Sequence, residues 1–232
     1  MEPPSTDVRV FYAEVGEIDA DATRELLAVE DLDGLAATAH PRRRAEYLAG
    51  RALLRFALQC CTGRPGSSYR FRFGSHGKPE CVDGPPFSLS HSAGVTVCAI
   101  SPAGAIGVDV EFPNARRRTR EIAREYFSAR DNDWLRRQPA DSFYMLWVLK
   151  EAHLKALGLG VGGGLDTLEC RVAPPVIETR VAHGLLPTLA LCGLGEAFLG
   201  VATTGYRFSE VGVEPWSACA VRRDVRLIAR SA

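Results

Sequence analysis

Hydrophobic and polar positions along the chain recur with a helical period in some stretches and with an extended pattern in others. The stretches with a helical period are Pro41 to about Cys61, Glu121–Phe127 and Ser142–Leu157. The β-type runs are Val95–Ile100, Ala105–Glu111 and short segments after Gly160 such as Ala197–Thr203. The turn-forming residues 101–104 predict that the first two strands form a hairpin. The repeated order of helix and strands predicts an α+β protein with two similar halves, 1–104 and 105–232.

The first predicted helix carries arginine on one side. At about 100° per residue, Arg44, Leu48, Arg51, Arg55 and Leu58 fall on the same side of this helix. The chain as a whole has no formal net charge, because its 28 lysine plus arginine residues equal its 28 aspartate plus glutamate residues. A chain without net charge has no overall field to hold nucleic acid or an anionic membrane, so neither is predicted as a partner. Any anion that binds must meet a local cluster of cations.

Length and cysteine usage predict a compact cytoplasmic protein. A chain of 232 residues with 46% hydrophobic composition can bury an ordinary core. Its seven cysteines are scattered, odd in number and without a C-x-x-C pair, which predicts reduced thiols in a cytosol rather than a zinc site. No secretory signal is expected at the N-terminus. The longest apolar run, 184–195, contains Pro187 and is too short to cross a bilayer.

Two carboxylates share one face of the strand predicted at Ala105–Glu111. Side chains alternate along a strand, so Asp109 and Glu111 point to the side opposite Val108 and Val110. Their spacing of roughly 6 to 7 Å is one that a single hard cation with oxygen ligands can bridge. A polar, solvated strand face would explain the same D-x-E pattern, so the motif alone leaves both interpretations open.

The helix predicted at Ser142–Leu157 carries a lysine inside its apolar arc. Lys150 lies within the arc, whereas Glu151 lies on its shoulder and Lys155 follows Glu151 at i+4. An exposed ion pair would explain Glu151 and Lys155 but not Lys150. A cation within the arc requires either an anion that meets it, such as a ligand phosphate, or a long stem that carries the charge to solvent. The sequence leaves both interpretations of Lys150 open.

Two polar segments upstream suit phosphate contacts. Ser90 and His91 are adjacent, and adjacent side chains of an extended segment face opposite ways, so the two do not easily form the nucleophile and base of a hydrolase. A loop that donates hydrogen bonds to phosphate is the preferred interpretation of this segment. Lys78, in the preceding Gly-Lys-Pro loop, is either a further phosphate contact or an exposed turn lysine.

A second group of cations, Arg116–Arg118 with Arg120, precedes the helix predicted at Glu121. Such charges ordinarily indicate a solvated loop. Contact with an acidic partner is the alternative interpretation.

Two of these motifs together resemble a known family. The strand contains Gly107-Val-Asp-Val-Glu111, and 36 residues after Glu111 the helix begins the motif Trp147-Val-Leu-Lys-Glu-Ala-His-Leu-Lys155. The pair resembles the G-x-D-x-E and W-x-x-K-E-x-x-x-K signatures of the phosphopantetheinyl transferase superfamily. The arginines of the first helix, Gly77-Lys78-Pro79 and Phe87-Ser-Leu-Ser-His-Ser92 resemble further blocks of its longer, surfactin-synthetase-activating (Sfp) type. The resemblance covers roughly residues 41–164.

The resemblance implies a fold and a set of site residues. It implies a pseudo-dimer of two α+β halves in one chain, hence a monomer, with the active site at the interface of the halves. Asp109, Glu111 and Glu151 would bind magnesium, for which manganese can substitute. Glu151 would act as the base, directly or through a water, and Lys155 would stabilise the leaving phosphate. The residues implied to contact coenzyme A are Arg44, Arg51, Lys78, Ser90, His91, Lys150 and Lys155.

The resemblance also assigns tasks to the two halves. Residues 1–104 would contact the nucleotide, and residues 105–232 would hold the metal and the catalytic groups. At Asp131 the chain departs from relatives that often carry glutamate, which leaves the role of this residue open.

The activity implied by the resemblance is magnesium-dependent transfer of the 4′-phosphopantetheine group of coenzyme A to a serine of an apo acyl or peptidyl carrier protein. Adenosine 3′,5′-bisphosphate would be released. A non-catalytic module of the same fold that binds coenzyme A or a carrier protein is the alternative. A hydrolase that uses Ser90 or a cysteine is a second alternative, for which the sequence supplies no placed base or oxyanion hole. The carrier protein, the tolerance for acyl-coenzyme A and the role of the segment after Gly164 are left open.

Overall fold

A computed structural model describes residues 7–18, 20–36, 40–74, 77–159, 164–216 and 223–231. The chain divides into two compact units. Unit 1 consists of Met1–Ala103 with Ser209–Arg223, and unit 2 consists of Gly104–Phe208 with Asp224–Ala232. Both units combine helices with β-sheet, which confirms the predicted α+β class.

Helices and strands follow one another along the whole described chain. The helices are α1 (Ala20–Leu26), α2 (Val29–Ala36), α3 (Pro41–Thr62), α4 (Thr119–Tyr126), α5 (Ala129–Leu135) and α6 (Ser142–Ala156). The strands are β1 (Val8–Glu14), β2 (Phe71–Phe73), β3 (Pro79–Cys81), β4 (Phe87–Ser92), β5 (Val95–Ile100), β6 (Ala105–Glu111), β7 (Leu168–Ala173), β8 (Val176–Val181), β9 (Thr188–Leu194), β10 (Ala197–Thr204), β11 (Val211–Pro215) and β12 (Val225–Arg230). Within the described ranges, no helix has both the length and the apolar character that a membrane crossing requires.

Unit 1 is built from α3 and a four-stranded sheet in the order β11-β1-β5-β4. The predicted first helix is confirmed as α3. It begins at Pro41, where a missing N–H is tolerated, and it ends before Gly63, whose φ of 74° lies in the left-handed region. Leucines of α3 pack against Phe11 of β1 and Ile100 of β5 to form the core of the unit.

The hairpin predicted between residues 95–100 and 105–111 is wrong, although both strands exist. β5 pairs with β1 and β4 in unit 1, whereas β6 pairs with β10 in unit 2. The hairpin joins β4 to β5 instead, through Ala93 and Gly94. Their φ angles of 49° and 85° suit a two-residue turn that follows the twist of the strands. Ser90 and His91 therefore lie on a strand rather than on the predicted phosphate-binding loop.

Unit 2 is a six-stranded sheet, in the order β6-β10-β9-β12-β8-β7, with α6 packed closely on β6 and β10. Two glycines permit this approach. A Cβ at Gly107 of β6 would lie 1.8 Å from the carbonyl oxygen of Ala152, and a Cβ at Gly200 of β10 would lie 2.4 Å from that of Val148. Since Gly200 is the cross-strand partner of Asp109, both glycines and Asp109 lie on the sheet face that α6 covers.

The predicted division into residues 1–104 and 105–232 needs a correction near the C-terminus. The chain passes from unit 1 to unit 2 between Ala103 and Gly104, but Ser209–Arg223 belong to unit 1. The reason is β11, which pairs in parallel with β1, and Trp216, whose N–H donates to the carbonyl oxygen of Tyr12 at 2.8 Å.

Candidate active site

Charged side chains of unit 2 meet where β6 runs beneath α6. Asp109 lies on β6, and Glu151 and Lys155 lie on α6. Lys155 Nζ donates to Asp109 Oδ1 at 2.7 Å and to the carbonyl oxygen of Val108 at 3.0 Å. Asp109 and Glu151 are only 6% and 8% exposed. The D-x-E face therefore turns towards the helix, which excludes a solvated strand face for Asp109.

Glu151 experiences the negative charge of its neighbours. Burial raises the pKa of Glu151, and the nearby carboxylates of Asp109 and Glu111 raise it further, against the lowering effect of Lys155 and Arg117. Among the described residues, nothing donates a hydrogen bond to its buried Oε1 atom. This carboxylate is therefore suited to hold a proton or to meet a cation.

The three carboxylates can be tested for fit to the implied magnesium ion. No group of three His, Cys, Asp or Glu side chains within the described ranges is already gathered as a metal site. Asp109 and Glu111 instead meet cations of the chain, because Arg117 Nη1 donates to Glu111 Oε1 at 3.1 Å just as Lys155 meets Asp109. Burial and the neighbouring carboxylates nevertheless raise the pKa of Glu151, and its buried Oε1 atom has no hydrogen-bond donor among the described residues. Clustered carboxylate oxygens in such a setting fit a hard divalent cation.

The ammonium group of Lys150 is bound inside unit 2, and its stem does not reach solvent. The side chain is 0% exposed, and Nζ donates to Asp131 Oδ2 at 2.7 Å, to the carbonyl oxygen of Leu165 at 2.8 Å and to that of Leu168. An ammonium group has three donors, and all three are used inside unit 2. An anion thus meets Lys150, as the first interpretation requires, but it is the carboxylate of Asp131. These contacts leave no donor of Lys150 for a phosphate of coenzyme A, which corrects the prediction that Lys150 contacts it.

Asp131 is the anion that Lys150 meets. Ser128 caps α5 by accepting the N–H of Asp131 at 3.1 Å, and this cap holds Asp131 in the first turn. Its Oδ1 atom also accepts the N–H of Cys170 at 3.0 Å, so the carboxylate links α5, α6 and β7. The role of Asp131 that the sequence leaves open is thus structural.

Gly107 positions the helix that carries Glu151 and Lys155. We expect Gly107→Ala to lower the free energy of unfolding by at least about 3 kcal/mol, since overpacking against a backbone carbonyl forces β6 and α6 apart. Urea unfolding would measure the change. Gly16→Ala is the matched control, because a Cβ at Gly16 meets nothing within 4 Å. A Gly107→Ala variant as stable as the control would contradict this role.

A cavity of about 970 Å³ lies in unit 1 beside α3 and β4. Three of the residues predicted to contact coenzyme A line it, namely Arg51, Ser90 and His91. The other residues of the lining are Glu30, Arg43, Glu46, Tyr47, Gly50, Arg55, Tyr69, Arg70, Phe71, Phe73, Pro79, Leu89 and Thr96. The lining combines aromatic faces with guanidinium groups, which is the chemistry that binds a purine ring and phosphates.

Two of the four arginines that line this cavity are held by the buried carboxylate of Asp31. Arg51 donates to Asp31 Oδ1 from Nε and Nη2, each at 2.6 Å, and its guanidinium lies 4.3 Å from the ring centre of Phe71. Arg55 donates to Asp31 Oδ2 and to the carbonyl oxygens of Gly66 and Tyr69. Burial alone would raise the pKa of Asp31, but the hydrogen bonds from Arg55 and Ala28 and the charge of Arg51 lower it. Arg55 thus serves the fold, whereas Arg51 is fixed at the cavity wall.

Of the five predicted coenzyme A contacts in unit 1, two lie outside the described lining of this cavity. Arg44 is exposed on α3, and Lys78 is half-buried beside Pro79. Arg43 lines the cavity in place of Arg44, because the cavity side of α3 follows positions 43, 46, 47, 50 and 51. Arg70, on the segment after α3, is a further cation that the sequence analysis misses. Only the three-dimensional path of that segment shows it facing the same cavity.

The described residues contain no activated nucleophile of the kind that the hydrolase alternative requires. The described cysteines are free thiols, and burial raises the pKa of Cys170 to about 12 and that of Cys192 to about 11. Burial and then Lys150 lower the pKa of His153 to about 4, which makes it a weak base. Ser90 is buried and His91 is exposed, as expected for adjacent residues of a strand.

A second, smaller cavity of about 340 Å³ lies in unit 2 between α4, α5 and the start of α6. Its charged residues are Arg120, Arg124 and Arg136, and its apolar residues include Leu135 and Phe143. Arg120, a member of the predicted cationic group, lies in the first turn of α4. Arg117, another member, instead packs against the carboxylate site.

Comparison with known proteins identifies the family of the chain. Residues 105–190 match the family model described as 4′-phosphopantetheinyl transferase superfamily, and residues 31–101 match the one described as 4′-phosphopantetheinyl transferase N-terminal domain. The chain therefore belongs to the 4′-phosphopantetheinyl transferase superfamily, which confirms the resemblance.

Individual relatives agree with this assignment. The chain is 32% identical to 4′-phosphopantetheinyl transferase HetI of Nostoc sp. over 158 residues, which cover 63% of this chain and 66% of that protein. It is 32% identical to 4′-phosphopantetheinyl transferase Sfp of Bacillus subtilis over 135 residues, which cover 54% and 57% of the two chains. The chain thus spans less than two thirds of the length of these relatives. A structure of Thermotoga maritima holo-[acyl-carrier-protein] synthase aligns with 53% of this chain and 75% of that one, at 19% identity and a TM-score of 0.33.

Proposed function

We propose that the chain transfers the 4′-phosphopantetheine group of coenzyme A to a serine of an apo acyl or peptidyl carrier protein. The reaction requires magnesium and releases adenosine 3′,5′-bisphosphate. The proposal rests on one observation: Asp109, Glu151 and Lys155 are held together in a buried site within the residues that match the superfamily model. We further propose that the protein acts as a monomer in the cytoplasm.

In the proposed reaction, the serine oxygen forms a bond to the β-phosphorus of coenzyme A. The bond from this phosphorus to the oxygen that bridges to the α-phosphorus breaks, and the bridging oxygen leaves with the adenosine bisphosphate. Glu151 accepts the serine proton, directly or through a water, and burial together with neighbouring carboxylates makes it a stronger base. Lys155 stabilises the charge on the departing phosphate. Magnesium bound by Asp109, Glu111 and Glu151 would supply further positive charge to the pyrophosphate.

The cavity of unit 1 suits the nucleotide end of coenzyme A. Arg43, Arg51, Arg70 and His91 offer positive charge or hydrogen bonds to a 3′-phosphate, and Phe71 and its aromatic neighbours offer faces to the adenine ring. The smaller cavity of unit 2 suits an acidic partner surface, and we propose it as the place where the carrier protein docks.

Mass spectrometry of apo carrier proteins tests the function directly. Incubation with the protein, coenzyme A and magnesium should add the mass of phosphopantetheine to the carrier serine and release adenosine 3′,5′-bisphosphate in equal amount. Carriers from fatty acid, polyketide and nonribosomal peptide synthesis should be compared. If the protein binds coenzyme A but modifies no carrier, the non-catalytic binding module is the correct alternative.

We expect Arg51→Ala and His91→Ala to raise the KM for coenzyme A by about ten-fold with little change in kcat, because both residues line the cavity of unit 1. Steady-state carrier loading measures both constants. Dephospho-coenzyme A, which lacks the 3′-phosphate, shows whether this phosphate is the group contacted. The wild type should have a lower KM for coenzyme A than for this analogue, whereas a variant that has lost a 3′-phosphate contact should have similar KM values for both.

Arg72→Ala is the matched control for these variants, since Arg72 is exposed on β2 and pairs with Glu80. Its KM should stay at the wild-type value. A fall in kcat with unchanged KM in Arg51→Ala or His91→Ala would show that these residues act at the reacting atoms and not at the nucleotide.

A further inference from the structure

Arg117 contacts both a carboxylate and an aromatic ring of the candidate active site. Its Nη1 atom donates to Glu111 Oε1 at 3.1 Å, and its guanidinium carbon lies 4.4 Å from the ring centre of Trp147 on α6. The loop that carries Arg117 is held by its backbone, because the Arg117 N–H donates to Asn114 and the Arg117 carbonyl accepts from Thr119. The guanidinium can therefore move by side-chain rotation alone.

Charged side chains surround Glu151. Among the described residues, the carboxylates of Asp109 and Glu111 raise the pKa of Glu151, and the cations Lys155 and Arg117 lower it. Each cation holds one of the two carboxylates of β6. A divalent cation that binds these carboxylates must therefore compete with side chains that already hold them.

We infer that Arg117 is a displaceable cation that occupies Glu111 in the absence of metal and releases it when a divalent ion binds. This inference rests on the proposed function, which assigns Glu111 as a metal ligand. Arg117 is the more easily displaced of the two cations. Lys155 is also bound to the carbonyl oxygen of Val108, whereas Arg117 rests on the face of Trp147 and can remain on that face after it leaves Glu111.

Direct metal binding tests the inference without any enzyme assay. Mn²⁺ is titrated into the 232-residue protein in the absence of coenzyme A, and free Mn²⁺ is measured by electron paramagnetic resonance. Arg117→Gln should bind Mn²⁺ about five-fold more tightly than the wild type, since the competing ion pair, whose side chains are 24% and 23% exposed, is gone. Arg117→Lys, which keeps the charge, should bind Mn²⁺ more weakly than Arg117→Gln.

Tryptophan fluorescence supplies a second measurement. In the wild type, Mn²⁺ should change the emission of Trp147 as the guanidinium shifts, and a Trp147→Phe variant assigns this signal among the three tryptophans of the chain. Emission of the Arg117→Gln variant should respond less. Arg118→Gln is the control, because Arg118 is exposed and pairs with Glu121, so its Mn²⁺ affinity should equal that of the wild type.

The outcomes separate the inference from the proposed function. If the wild type binds Mn²⁺ and folded Arg117→Gln binds it equally or more weakly, Arg117 is not a competitor and the inference is wrong. If neither protein binds Mn²⁺, the metal assignment of Asp109, Glu111 and Glu151 fails as well. Thermal melting of each variant shows that the fold is kept.

Discussion

Replacing Lys155 by methionine is expected to lower kcat for carrier loading by on the order of 10²-fold or more. Lys155 is a partly buried cation fixed between Asp109 and the carbonyl oxygen of Val108, at 2.7 and 3.0 Å. The ammonium group of Lys155 is therefore already positioned beside the proposed metal ligands. Because it is held in place, it needs little movement to stabilise the negative charge that builds up on the departing phosphate. Methionine keeps most of the stem and removes the charge.

The measurement is single-turnover carrier loading at saturating coenzyme A and magnesium, with the wild type and Lys155→Arg alongside. Arginine keeps the charge but not the shape of the ammonium group, so it should recover part of the rate. Asp109→Asn should lose activity as well, because it removes a proposed metal ligand. If Lys155→Met keeps the full kcat, Lys155 only pairs with Asp109 and has no catalytic role.

The sequence predicts the elements of the site well because its signals are local. Periodicity places α3 and α6 within a residue or two of their observed ends, and alternation along β6 correctly puts Asp109 on the side opposite Val108. The two motifs then identify the family, and the family resemblance implies that β6 and α6 contribute residues to the same site. Gly107 adds a physical reason for that spacing, since any side chain at this position would collide with α6.

The errors concern partners that are distant in sequence. The sequence predicts that β5 pairs with the next strand, yet both partners of β5, β1 and β4, precede it in the chain. β11 likewise pairs with β1, although almost the whole chain separates the two strands. No local pattern records such pairings. Arg43 lines the cavity of unit 1 and Arg44 does not, because a step of one residue rotates a side chain by about 100° around the helix. That Arg44 contacts coenzyme A stays a prediction.

Lys150→Met is expected to lower the free energy of unfolding by about 3 to 5 kcal/mol, in contrast to a surface lysine, whose loss costs about 1 kcal/mol or less. The substitution leaves the carboxylate of Asp131 buried without its cation and leaves the carbonyl oxygens of Leu165 and Leu168 without their donor. If Lys150 bound coenzyme A instead, the same change would keep the fold and weaken coenzyme A binding. Urea unfolding and coenzyme A titration thus distinguish the two roles.

The double variant Lys150→Met with Asp131→Asn shows whether the buried charge is the cause. Asparagine can still accept the N–H of Cys170 and carries no charge, so the double variant should be more stable than Lys150→Met alone. Arg130→Met is the control on α5, the helix that carries Asp131. The Arg130 side chain is 40% exposed and its Nε lies 3.9 Å from Glu169 Oε2, so the stability should change by less than about 1 kcal/mol. Equal stability of the single and double variants would mean that the packing of the lysine stem, and not the ion pair, stabilises this part of unit 2.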